Sequence, residues 1–399
     1  MELADVLDSK SSGSDTVSVR PRSPAPKDAH LSMRQMCVFL SCEVNMKINK
    51  TSKLLIEHYN SYPKMQIQDI FKFIYQSTFG CEHMVASENA AKEQIDSELK
   101  TVKFNHSPLV DILDGDYCRV NLEYINKGLS PTTLSKLFSL SSQKKKSSVD
   151  DLEEKIMCAR QLIKSNAIPF TIDEFDTLHQ EWKEKGYTAI HHSEIFRSTY
   201  SPSYRVISNE YIPFLPLFSQ VDKLIEDDRK PIIAIEGGSA SGKSTLGSLF
   251  LQLYDCNLFH MDDFFLRAEQ RTAQRYAEIG GNIDKERFLP ELLIPLYNGE
   301  SFSYRPFDCS TFMLSQSITV CPKSLSVIEG VYSMHPDFRR FYNLSVFLKV
   351  SEKLQKERIS KRNTPDMAKR FFNEWIPLEN RYFEEYRIQE KCDIVIDVD

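Results

Sequence analysis

Residues 235–246 read IEGGSASGKSTL and hold the spacing G-x-x-x-x-G-K-S, which ends in Gly242, Lys243 and Ser244. Glycines let a backbone turn tightly and approach a ligand, so that successive N–H groups and a helix N-terminus converge on phosphate oxygens. In such a loop Gly237, Gly238, Ser239, Ala240, Ser241, Gly242, Lys243, Ser244 and Thr245 surround the phosphates of ATP. Lys243 reaches the β- and γ-phosphates, and the Ser244 hydroxyl faces Mg²⁺. Two acidic stretches complement the loop. In HMDDFF, Asp262 is placed to accept the proton of an attacking hydroxyl and to stand near the metal, with Asp263 beside it. In SLSVIEG, Glu329 follows an apolar run in a Walker B position, where an acid holds Mg²⁺ through water.

These side chains need a sheet to bring them together. Pro231, Ile232, Ile233, Ala234 and Ile235 read as a buried strand, and Leu246, Leu249, Phe250 and Leu253 recur at helical spacing after the loop. Leu258, Phe259 and Met261 predict a second strand, Val327 and Ile328 a third, Leu344, Val346, Phe347, Leu348 and Val350 a fourth, and DIVIDV a fifth. The expected fold over 231–399 is α/β, a three-layer P-loop sandwich on a five-stranded, mainly parallel sheet, with ligands at the carboxyl ends of the strands. Arg358, Lys361, Arg362, Lys369 and Arg370, between the last two strands, form a cationic segment suited to closing over phosphates.

The rest of the chain is expected to divide into a disordered leader over 1–48, an all-α domain over 50–215 and a linker over 216–230. The leader is rich in Ser, Pro and charge, with RPRSPAP at its middle, and its acids argue against a mitochondrial targeting peptide. In the helical stretch Leu54, Leu55, His58, Tyr59 and Tyr62 share a face, as do Ile67, Ile70, Phe71 and Ile74. Ser130-Pro131 caps one helix, Thr171 with Glu174 opens another, and Gly186 closes it. Polar clusters in this stretch read mainly as scaffold. Cys81, Glu82 and His83 make too few ligands for a metal, and the neighbours His191 and His192, with Glu194, point in different directions. Tyr200, Tyr204 and Arg205 read as packing against the other half or as contacts to an anionic substrate, and the lysines at 144–146 as a solvated loop.

With 399 residues, 41% of them hydrophobic, the chain can build two cores. A net charge of −6 supplies no cationic excess for nucleic acid, so small molecules are the expected partners, with a homo-oligomer compatible. Nine cysteines, an odd number without a C-x-x-C pair, read as reduced thiols in a cytoplasmic protein. No apolar run nears the ~18 residues needed to span a bilayer, so no membrane partner is expected.

GGSASGKST, HMDDFF, NIDKERF, YRPFD, VIEGVY and ERISKR occur in the order seen in the uridine kinase and phosphoribulokinase family of P-loop kinases, which 231–399 resembles. The resemblance implies ATP- and Mg²⁺-dependent phosphorylation of a hydroxyl on a small molecule, a nucleoside or other ribose-like compound. It implies Asp262 as the catalytic aspartate alongside Lys243, and Glu329 as the magnesium-linked acid. It further implies Asp284 as a ribose-hydroxyl ligand, Arg358 and Arg362 as lid arginines, and an acceptor site around Tyr304, Arg305 and Phe307. Where uridine kinases carry a base-reading histidine, this chain has Phe312 nearby, which predicts weak selectivity for uridine. Pantothenate- and sugar-phosphate-type kinases and a non-catalytic ATP sensor are the alternatives. A GTPase is excluded by the lack of N-K-x-D, and a transporter ATPase by the lack of an LSGGQ-like loop.

Overall fold

The computed structural model describes residues 50–81, 88–102, 108–144, 147–227 and 230–399. They divide into two compact units, one made of 127–133 with 213–399 and the other of 50–126 with 134–212. The leader expected over 1–48 lies outside the described residues.

Helices dominate the unit made of 50–126 and 134–212, as predicted. Ile67–Phe79 buries Ile67, Ile70, Phe71 and Ile74, the face that the spacing indicated, and Val149–Lys164 and Ile172–Glu184 pack with it. A three-stranded antiparallel sheet adds to the all-α expectation: β1 (Val110–Ile112), β2 (Tyr117–Asn121) and β3 (Tyr204–Ser208), in that order. β2 and β3 each bury four consecutive residues, so neither shows the polar–apolar alternation by which a half-buried strand is recognised.

The other unit contains the P-loop sheet. Its strands are β4 (Ile232–Gly237), β5 (Cys256–His260), β10 (Leu325–Glu329), β11 (Leu344–Lys349) and β12 (Ile394–Asp397). Between β5 and β10 run the short β6 (Phe302–Tyr304), β7 (Phe307–Asp308), β8 (Met313–Leu314) and β9 (Ile318–Val320), paired as two small antiparallel ribbons. The large sheet has the order β12-β11-β4-β10-β5 and every neighbouring pair is parallel. β4 is buried along its whole length and β10 likewise, which is why their sequences are runs of aliphatic residues without alternation. The helix Lys243–Leu253 packs on β4, β5 and β10. From β4 the chain leaves toward β5, and from the adjacent β11 it leaves toward β12 on the opposite side. The carboxyl ends of β4 and β11 therefore border a topological switch point, where open α/β sheets bind ligands.

The linker expected over 216–230 is corrected. Leu215–Glu226 is a helix that buries Leu215, Leu217, Phe218 and Val221, and the Phe218 ring meets Phe250 edge-on at 5.8 Å. Its Asp222 accepts hydrogen bonds from Ser130 N (2.7 Å) and Thr133 Oγ1 (2.8 Å). Apolar residues at i, i+3 and i+6 carry the helix into the core, so the unit begins before 231.

Candidate active site

β4 ends at Gly237, whose φ of 147° and lack of a side chain are both required, since a Cβ there would stand 2.5 Å from the Leu348 carbonyl oxygen of β11. The loop then turns through Ala240 at φ 61° and Gly242 at φ 98° into the helix Lys243–Leu253. Lys243 is buried and donates to the carbonyls of Gly237 (2.8 Å) and Gly238 (2.9 Å), which folds its ammonium over the mouth of the loop. The Ser241 hydroxyl is buried without a partner among the described residues. Ser244 and Thr245, in the first turn of the helix, are exposed.

Register brings the acids beside the loop. β10 pairs with β5 so that Glu329 lies across from His260, and with β4 so that Glu329 lies across from Ile235. Glu329 Oε1 accepts from Ser244 Oγ at 2.9 Å and meets His260 Nδ1 at 2.6 Å. Burial opposes ionisation of Glu329, but the hydrogen bond from His260 and the Lys243 charge overcome it and hold the carboxyl below its usual range. The same bond raises His260. Gly330, at φ 143°, lets the chain leave β10 past Met261, whose side chain a Cβ would meet at 2.5 Å.

Asp262 lies in the short turn Met261–Phe264 at the end of β5. It is exposed, and desolvation by the surrounding protein, followed by the Glu329 charge, pushes its carboxyl upward. Asp263 accepts from Tyr304 OH at 3.1 Å, and burial raises it too. β7 packs against this turn, and Cys309, in the β7–β8 hairpin, feels the charges of Asp262, Arg271 and Asp263. Arg271 covers the Phe312 ring at 4.6 Å and the Phe307 ring at 5.6 Å. β7 thus brings Phe307, with Arg271 over its ring, next to this turn.

Other predicted residues sit elsewhere or differently. Asp284 is fully buried and caps the turn Lys285–Phe288, with Arg287 N at 3.2 Å from Oδ1 and Arg267 Nε at 3.3 Å from Oδ2. Its carboxylate is occupied by the protein, which departs from the expected hydroxyl ligand. Arg305 is exposed and braces the hairpin through the carbonyls of Leu314 (2.8 Å) and Ser315 (2.7 Å). Of the two arginines expected in a lid, Arg358 donates to Ala240 O at 3.1 Å from the helix Glu352–Arg362, and Arg362 lies over the Phe371 ring at 5.7 Å.

Three groups at the loop were not foreseen. Glu379, from the helix Ile376–Glu385, accepts from Ser239 N at 2.8 Å and Ser239 Oγ at 2.5 Å. Gln355 donates to Ser239 O at 2.8 Å. Buried Glu236, just before Gly237, accepts from Gly237 N (2.9 Å), Met334 N (3.0 Å) and Tyr382 OH (3.0 Å). The distances in sequence from Ser239 to Gln355 and Glu379 leave no local signal, whereas His260 adjoins the predicted Met261-Asp262 step and was legible as its neighbour.

In the helical unit, Cys81 is buried with its thiol toward Phe138 O, while Glu82 and His83 lie outside the described residues. His192 is buried against Asp69 (2.8 Å), whereas His191 is exposed. Arg205 is held by Glu98 at 3.0 Å through both terminal nitrogens, within its own unit. Of the lysines at 144–146, Lys144 is half-buried and pairs with Glu210 and Ser208, while 145 and 146 lie outside the described residues.

Sheet, loop and flanking acids define a P-loop α/β protein. No family model matches the chain and no curated protein does. Among solved structures, one described as a possible uridine kinase from Bacillus stearothermophilus aligns at 21% identity and a TM-score of 0.34, covering 45% of this chain and 99% of that one. No helix among the described residues is long and apolar enough to cross a membrane.

Proposed function

We propose that the chain is a kinase that transfers the γ-phosphoryl group of ATP to a hydroxyl of a small, ribose-like molecule. One observation carries the reading: Lys243, the Ser244–Glu329 pair and Asp262 converge at the carboxyl ends of β4, β10 and β5. In that arrangement the loop N–H groups and Lys243 hold the phosphates, and Asp262 accepts the acceptor's proton as its oxygen attacks phosphorus. A raised carboxyl suits a base that must take up a proton and later release it.

The oxygens of Ser244, Glu329 and Asp262 are the hard donors that Mg²⁺ prefers. When bound, Mg²⁺ would neutralise charge on the phosphates. Acceptor recognition falls to Arg271, Phe307, Phe312 and the Tyr304–Asp263 pair beside the base, with Asp284 holding Arg267 in place. A stacking wall of this kind discriminates weakly among rings, consistent with poor uridine selectivity.

The test is ADP release from MgATP with a panel of nucleosides, sugars and small alcohols. Lys243→Ala is expected to abolish acceptor-dependent turnover while circular dichroism stays that of the parent, because the ammonium contacts only loop carbonyls. Turnover at the parent's rate in that variant would remove the P-loop from the reaction.

A further inference from the structure

The turn Met261–Phe264, which carries Asp262 and Asp263, runs on through Leu266 into a stretch that holds arginines at 267, 271, 275 and 287. Three of them are matched with acids. Arg267 Nε meets Asp284 at 3.3 Å, Arg275 Nη2 meets Glu286 at 2.7 Å and Arg287 Nη2 meets Glu291 at 2.9 Å. Arg271 has no acid partner among the described residues. Its Nε donates to Leu266 O at 2.9 Å, and its guanidinium lies over two rings, Phe312 at 4.6 Å and Phe307 at 5.6 Å. Its Nη1 and Nη2 bond to no described residue. They are not sealed in either, for Arg271 is only half-buried, whereas Arg287 Nη1 is shut away without a partner.

The anchors of Arg271 set it beside the candidate base. Leu266 lies four residues after Asp262, so the bond to its carbonyl ties Arg271 to the segment that carries that acid. Phe307 belongs to β7, which packs on the Met261–Phe264 turn, and Cys309 in the same hairpin feels the charges of both Asp262 and Arg271. Two rings fix the plane of the guanidinium and one carbonyl occupies its Nε, which leaves Nη1 and Nη2 as a free, preorganised fork. The oxygens of a carboxylate or phosphate match such a fork, and a bond between charged groups is stronger than one to a neutral carbonyl. Asp262 and Asp263 repel an anion, so an anion enters here only with a cation to receive it.

We propose that Arg271 determines acceptor specificity by gripping an anionic group, a carboxylate or a phosphate, on the molecule whose hydroxyl faces Asp262. The inference rests on the kinase reading for that hydroxyl and deepens it: the small, ribose-like acceptor carries a negative charge of its own. Loss of Arg271 leaves the two aspartates unopposed and penalises an anionic acceptor more than a neutral one.

The full-length chain is titrated calorimetrically with matched compounds that differ in charge: pantothenol and pantothenate; ribose, ribonate and ribose 5-phosphate; uridine and uridine 3′-phosphate. The non-hydrolysable ATP analogue MgAMPPNP is present, so that the P-loop does not itself take the anion. At least one anion is expected to bind about tenfold or more tightly than its neutral counterpart, and the carboxylate and phosphate arms show which group the fork takes. Arg271→Gln should weaken that anion about tenfold or more and its neutral counterpart less. In ADP release the loss should fall on KM for the acceptor rather than on kcat. Arg271→Lys, which keeps the charge without the fork, should recover part of the loss and serves where the glutamine variant does not fold. Binding is read apart from turnover, so an anion that binds through Arg271 but draws no ADP release sinks the kinase reading and leaves the anion subsite standing. Neutral compounds that bind as tightly as their anions overturn the proposal. So does an anion preference that both Arg271 variants retain, or the absence of binding by every anion.

Discussion

At the scale of single residues, the P-loop unit sets neighbouring carboxylates at different affinities for a proton. Glu329 is held low by His260 and Lys243, whereas Asp262 is pushed up by desolvation and by Glu329 itself. If Asp262 is the base, Asp262→Asn should leave binding of metal-free ATP within about twofold and lower acceptor-dependent turnover by roughly 100-fold or more, read from kcat at saturating acceptor. Glu236 behaves differently. Burial pushes it up to about 7 against the donors of Met334 and Gly237. Because the folded carboxyl holds its proton more tightly than the unfolded one, near 4.5, its contribution to stability is fully present below about 4.5 and is lost as the pH rises through about 7. The loss is on the order of 3 kcal/mol at most. Urea denaturation of the parent and of Glu236→Gln between pH 4 and 8 should show this downward slope in the parent and its reduction in the variant.

At the scale of elements, the helix Ile376–Glu385 does more than cover the sheet. It carries the Glu379 carboxylate onto the Ser239 N–H, a group of the kind that a phosphate oxygen would use. Gln355 and Arg358, from Glu352–Arg362, hold the carbonyls of Ser239 and Ala240 on the same loop. A charge-assisted bond of this sort contributes about 1.5–3 kcal/mol, so a nucleotide that must displace it binds less tightly than the bare loop would allow. Glu379→Ala is accordingly expected to lower the Kd for ATP about tenfold. A weaker affinity in that variant would instead mean that Glu379 braces the loop in its working shape.

At the scale of the molecule, the P-loop unit is assembled from two separate stretches of chain. Leu215–Glu226 supplies Phe218 to the ring of Phe250, and 127–133 supplies Ser130 and Thr133 to Asp222. A fragment of 231–399, cut at the boundary that the motifs suggest, lacks both and bares Phe250 and Tyr254. Loss of a buried phenylalanine side chain costs about 3–5 kcal/mol. Fragment 231–399 should therefore melt well below fragment 213–399 or fail to fold, as circular dichroism melting of the two would show.

The loop, the strand before it, the helix after it and the acids at the ends of the next strands could be read directly from the sequence. Their signals are local: aliphatic runs, glycines at fixed spacing and a lysine directly after the last of them, each enforced by backbone geometry within a few residues. The order β12-β11-β4-β10-β5 was not legible, because strand order depends on which apolar faces pack after the crossovers are made. The contact of His260 with Glu329 came from the register of two strands more than sixty residues apart, and that of Glu379 with Ser239 from a helix brought back across the sheet. Asp284 shows the limit most plainly. The resemblance implied a ribose-hydroxyl ligand, but a carboxylate's role depends on whether water or protein reaches its oxygens: Oδ1 caps its own turn at Arg287 N, and packing put Arg267 on Oδ2.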